Sequence, residues 1–140
     1  MSKQTGWWRN WIGRLLIGIV LIINVQCAVV FLSAPEAYAP SFELSGASSE
    51  AMVRALGLLF LMWNVPYAFA AFNPLKYRIS LFEAILMQAI GLGGETLILI
   101  GLPPGHQALR AAILRFIFFD GGGLLALILA AMVTRRPTQP

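Results

Sequence analysis

The sequence predicts an all-α integral membrane protein: four transmembrane helices in an antiparallel up-down-up-down bundle, with both termini in the cytoplasm. Three observations carry that expectation. Of 140 residues, 59% are hydrophobic and only 11% charged, whereas a soluble domain carries about 25% charged and roughly 45–50% apolar residues. The mean hydropathy is +0.77. Four apolar stretches, at about 12–32, 51–72, 79–102 and 108–133, each reach the ~20 residues needed to cross ~30 Å of hydrocarbon. Within a bilayer every backbone group must be paired inside its own segment, which makes each stretch a helix. Finally, Lys3, Arg9, Arg14, Lys76, Arg78, Arg135 and Arg136 all fall on one side of such a bundle, and the long first connection on the other side carries Glu36, Glu43 and Glu50. Basic residues mark the cytoplasmic face, in a plasma or inner membrane. The length suits a single domain.

The first span is entered through Trp7, Trp8, Arg9 and Trp11, an aromatic and basic anchor for the interface that Tyr77 shares. Its basic front, apolar run and Ala37-Tyr38-Ala39 imitate a secretory signal. The run is long and Pro40 follows the candidate site directly, so the span is read as retained. Gln26 before Cys27 is not the small residue that lipidation needs. Residues 33–50, with Pro35, Pro40 and Gly46, read as a polar connection. In span two, Asn64-Val65-Pro66 removes a helical hydrogen bond and predicts a kink. Residues 73–78 and 103–107 are tight turns, and His106 in the second is expected to be solvated. Span four holds Asp120-Gly121-Gly122-Gly123, where three glycines allow either a close crossing or local unwinding. Residues 134–140 read as a disordered tail.

Polar groups at membrane depth are the informative ones, because a central charge costs at least ~2.5–3.5 kcal/mol and must face the bundle. Counting ~1.5 Å per residue gives three layers. Arg54, Glu95 and Arg115 occupy the outer one, and Glu95 is expected to pair with Arg115, with Arg54 completing or competing. Arg110 lies nearer the surface and snorkels to water. Asn24, Asn64, Gln88 and Asp120 form the middle layer, one from each span. A carboxylate there is protonated, held by amides or reached by water. Glu83 forms the inner layer, within reach of Lys76, Arg78 or Arg14. Ala84, Gln88, Gly91 and Glu95 share one helical stripe, as do Gly57, Asn64, Ala68 and Ala71. Small and polar residues on one face are how membrane helices approach closely, and Ala126 and Ala130 repeat the pattern in span four.

Several functions are excluded by composition. One cysteine, Cys27, rules out an internal disulfide or dithiol pair, and one histidine, His106, rules out a bis-histidine haem within this chain. The net charge of +4 follows from topology and gives no reason to expect nucleic acid. No serine, histidine and acid stand in catalytic order, no metal-ligand spacing appears, and no cofactor is expected. The Gly91-Leu92-Gly93-Gly94 run lacks a phosphate-loop context. The first functional reading is therefore a non-catalytic accessory or assembly subunit, or a homo-oligomer, with a buried polar and charged core. The partners expected are the lipid bilayer and other membrane subunits. The alternative is a small transporter or proton-conducting protein using Glu95, Arg115 and Asp120. A second alternative is a lipid- or quinone-binding membrane enzyme whose polar layer holds a head group.

Overall fold

The computed structural model describes residues 2–135, with side chains from residue 7 onward. Four long helices carry the fold: α1 (Ser2–Ser33), α3 (Ala47–Phe72), α4 (Arg78–Gly101) and α5 (Gln107–Val133). Between α1 and α3 lie a four-residue helix, α2 (Pro35–Tyr38), and a 3-10 turn at Ala39–Phe42. All four long helices are long and apolar enough to cross a membrane, the first over Trp7–Ser33. The chain is thus all-helical over the described residues, a small polytopic membrane protein.

Helix boundaries differ from the hydropathy-based spans where polar residues continue a helix. Hydropathy marks what sits in lipid, so α1 runs ten residues ahead of the apolar stretch. The helix α3 starts at Ala47 because Gly46 takes a positive φ of 83° and Ser49 Oγ donates back to the Gly46 carbonyl (2.6 Å). Glu50 in its first turn complements the helix dipole. The first connection is also more ordered than a polar loop. Pro35 opens α2 from the position where its missing N–H costs nothing, and Glu43, left-handed at φ 57°, closes the 3-10 turn. Neither Pro66 nor the glycines at 121–123 interrupts its helix; α3 and α5 are continuous through both.

The long helices form a ring in which α1 packs on α3 and α5, and α4 packs on the same two. One buried cluster joins Ile17, Val20, Tyr67, Leu81, Ala84 and Leu127. A second centres on Phe31, Ala39 and Val53, with Phe42, Phe60 and Phe116 against it. At Gly57 the helices α1 and α3 meet through backbone: a Cβ there would lie 2.9 Å from the Ala28 carbonyl oxygen and 3.0 Å from Phe31 and Leu32. The expected stripe of α3 is corrected at one position. Gly57 and Asn64 are buried, but Ala68 is exposed and its neighbour Tyr67 faces inward instead. In α4, Ala84 and Gln88 are buried while Gly91 and Glu95 are half-buried, so that stripe fades along the helix. Ala130 is buried and Ala126 half-buried.

Guanidinium groups close the ends of α3 and α5. Arg9 Nε donates to the Val133 carbonyl (2.7 Å) and its Nη2 to that of Arg135. Arg14 Nε reaches the Ala71 carbonyl (3.2 Å), and Arg78 Nη1 that of Thr134 (2.9 Å). These are helix-end carbonyls without intrahelical partners, where the dipole favours a cation. Thr134, expected in a disordered tail, is instead fully buried, its hydroxyl donating to Ala130 O (2.7 Å). The rest of that expectation, at 136–140, lies outside the described residues. Trp7, Trp8 and Trp11 are exposed, with the Arg14 guanidinium 4.6 Å over the Trp11 ring.

Candidate functional site

Three helices meet at a short chain of hydrogen bonds. Tyr67 of α3 donates its hydroxyl to Gln88 Oε1 of α4 (2.5 Å) and lies 3.1 Å from the Ala84 carbonyl. Gln88 then donates from Nε2 to Asp120 Oδ1 of α5 (2.9 Å), with the Asp120 carbonyl at 3.4 Å. The Asp120 backbone carbonyl can only accept, which sets the Gln88 amide with its nitrogen toward Asp120 and its oxygen toward Tyr67. Tyr67 and Gln88 are each 3% exposed. Two glycines make room for these groups. A Cβ at Gly123 would stand 2.6 Å from Gln88 Nε2, and one at Gly91 would collide with Asp120 Oδ2. Of the two roles open to the glycine run, Gly123 fills that of close crossing.

Asp120 also faces a cavity of about 550 Å³ between α1, α3, α5 and the first connection. Its polar wall is Asn24, Gln26, Cys27, Arg115 and Asp120. Its apolar wall is aromatic, including Phe31, Phe42, Phe60, Phe116 and Phe119. The Phe42 and Phe116 rings stack at 6.3 Å, nearly parallel at 12°, and Phe31 meets Phe116 edge-on. Tyr38 and Ser41 bring the first connection over the same space. Gln26 and Arg115 are exposed residues and stand at its mouth.

The seven residues expected at the polar core therefore divide. Asn24, Arg115 and Asp120 line the cavity, and Gln88 holds Asp120 from behind. Asn64 is buried but bonds within its own helix, Nδ2 to the Phe60 carbonyl (2.6 Å), leaving Oδ1 without a partner among the described residues. The expected Glu95–Arg115 ion pair is not formed. Among the described residues the ion pairs are Arg54–Glu50 (3.6 Å) and Glu43–His106 (2.5 Å), and Glu95 Oε2 is buried with no hydrogen-bond partner. Arg115 lines the flank of α5 that faces α1 and α3, where no α4 residue reaches the cavity, and Glu95 belongs to α4. Arg54 is held by Glu50 one turn before it on α3, a half-exposed pair of small energetic value. Glu83 forms no ion pair among the described residues. Arg110 snorkels only as far as the Leu102 carbonyl (3.5 Å).

His106 is exposed, as expected of a solvated side chain, and it also takes a partner. Its Nδ1 lies 2.5 Å from Glu43 Oε2, while the Leu109 backbone N–H donates to Glu43 Oε1 (3.2 Å). Glu43 thus ties the segment bearing Tyr38, Ser41 and Phe42 to the first turn of α5. The hydrogen bond from His106, then that from Leu109, holds the Glu43 carboxyl below its ordinary 4.5. A depressed carboxyl contributes stability above its unfolded value and loses it as pH falls through the folded one. The tie is expected to persist at neutral pH and release below about 4.5. Protection of the 35–46 backbone amides against hydrogen exchange, relative to the intrinsic rate at each pH, should fall over that range in the natural chain, and be low already at pH 7 in Glu43→Gln. Equal protection at pH 7 in both would show that the tie does not hold the segment.

Tyr67 and the phenylalanine wall are the functional features that sequence reasoning missed. Their one available signal was spacing: Tyr67 follows Asn64 by three residues, on the same face of α3. Comparison with protein-family models, with curated proteins and with solved structures finds no match.

Proposed function

We propose that this membrane protein binds, without transforming it, an amphiphile dissolved in the bilayer, and that the aromatic cavity is its site. The observation that carries the reading is the cavity itself: about 550 Å³, with Arg115 and Asp120 among aromatic rings. Binding sites for small molecules are mostly apolar spaces of ~300–1,000 Å³ with a few converging polar groups. Arg115 offers only donors, and Asp120 offers acceptor oxygens. A protonated carboxylic acid, with a carbonyl for Arg115 and a hydroxyl for Asp120, suits the two together; a quinone carbonyl suits Arg115 and a quinol hydroxyl suits Asp120. The rings provide stacking surfaces for its body. The transport reading asks Glu95 to act with Arg115 and Asp120; among the described residues Glu95 pairs with neither and does not line the cavity, which favours binding over conduction. The antiparallel arrangement with cytoplasmic termini belongs to the same proposal. It is supported by the seven basic residues on one side and by the guanidinium clasps that join the start of α1 to the ends of α3 and α5.

The test is photolabelling in lipid nanodiscs with a short-tailed benzoquinone carrying a diazirine, and with a diazirine fatty acid. Adducts from at least one probe are expected on Cys27, Phe116 or Phe119. Removing a charged hydrogen bond of ~1.5–3 kcal/mol makes Arg115→Gln lower that labelling at least about tenfold, at unchanged melting temperature, while Arg54→Gln leaves it intact. Labelling that is equal in Arg115→Gln, or spread over lipid-facing residues such as Ile22 and Ile100, would overturn the reading.

A further inference from the structure

A second cavity, of about 520 Å³, lies where α4 begins. It is lined by Leu75, Lys76, Tyr77, Arg78, Ile79, Ser80 and, from the end of α5, Arg135. Three cations therefore converge on one space at the end of the apolar helices, and among the described residues none of them is in an ion pair. Lys76 is over the Tyr77 ring (5.1 Å) and exposed. Arg78 commits Nη1 to the Thr134 carbonyl, which fixes the guanidinium and leaves its remaining N–H groups free to donate. The first turn of α4 has no side-chain cap, and the Ser80 hydroxyl is at hand. Glu83, one turn on, is exposed and unpaired with the three. Directly beside the cavity, Phe72, Ile79 and Phe82 are more than 65% exposed, an apolar surface at the same edge.

We propose that this cavity binds the phosphate of an anionic phospholipid, whose acyl chains lie along Phe72, Ile79 and Phe82. Convergent guanidinium and ammonium donors match phosphate oxygens, and basic pockets between transmembrane helices hold anionic head groups. The adjoining apolar surface is what selects a lipid over free phosphate. The site is separate from the aromatic cavity, and shares no residue with it.

The experiment uses the full chain, delipidated and returned to nanodiscs of phosphatidylcholine alone, of phosphatidylcholine with one-fifth phosphatidylglycerol, or of that mixture with millimolar inorganic phosphate. Retained lipid is read by native mass spectrometry. Arg78 is left in place because it also clasps α5. Phosphatidylglycerol is expected to be retained over phosphatidylcholine, and its affinity to fall about thirtyfold in Lys76→Gln/Arg135→Gln. Arg54→Gln, an equal loss of charge elsewhere, should not change it. Equal retention of the two lipids, or no effect of the double variant, would overturn the assignment. So would inorganic phosphate displacing phosphatidylglycerol at millimolar concentration, since the apolar surface would then contribute nothing.

Discussion

Gly57→Leu is expected to destabilise the protein by about 3 kcal/mol, the upper end of what overpacking costs. At this position α1 and α3 touch through backbone, and the nearest obstacle to a Cβ is the Ala28 carbonyl oxygen at 2.9 Å. A flexible side chain can move aside, but a helical carbonyl cannot without moving its helix. The second aromatic cluster would part with it, since Phe31 and Leu32 form the rest of the contact. Gly18→Ala is the matched control. Nothing lies within 4 Å of a Cβ there, and alanine gains up to ~1 kcal/mol of helix propensity. Reversible unfolding in mixed micelles should place the two variants on opposite sides of the parent protein. If Gly57→Leu unfolds at the same denaturant concentration as the parent, the two helices are not in this contact.

The second large effect is expected at Gln88. Leucine fills a similar volume but removes the group that accepts from Tyr67 and donates to Asp120. Interhelical hydrogen bonds in membranes average ~0.6 kcal/mol and reach ~1.7. Two bonds lost together, with an acceptor left behind in a buried site, set the loss at about 2 kcal/mol. Tyr67→Phe should cost about half as much, because Gln88 still holds Asp120. The Gln88→Leu/Tyr67→Phe double variant is expected to lose hardly more than Gln88→Leu alone, since both remove the same bond. Fully additive losses would mean that the two residues do not act as one chain.

Which parts of this arrangement were legible in the sequence follows from what a linear pattern encodes. Length and hydropathy report what must be surrounded by lipid, so four helices could be counted and placed within a few residues, except that α1 begins ten residues before its apolar stretch. The depth of a polar residue could be counted too, and Gln88 and Asp120, expected at one level, do meet. Azimuth could not be counted. Glu95 and Arg115 were assigned to one layer, but Arg115 lines the flank of α5 toward α1 and α3, while Glu95 sits on α4. Arg54 found its partner one helical turn away instead of across the bundle. A one-residue error of phase exchanged Ala68 for Tyr67, which hid one end of the hydrogen-bond chain. His106 is exposed as expected, but its contact with Glu43 was not legible, because Glu43 lies in a segment whose shape depends on a left-handed residue and a 3-10 turn. Neither has a periodic signature.

The clasp between Arg9 and the carbonyls of Val133 and Arg135 joins the first helix to the last. It therefore sets an order of events during biosynthesis. Until Val133 and Arg135 have left the ribosome, α1 has no end of α5 to close against, and the ring stands open along that seam. The early helices must wait in the bilayer or in the care of the insertion machinery, with Arg9 held only by water and lipid head groups. A translation product stopped before residue 133 would lack the clasp and should be cleared by membrane proteolysis.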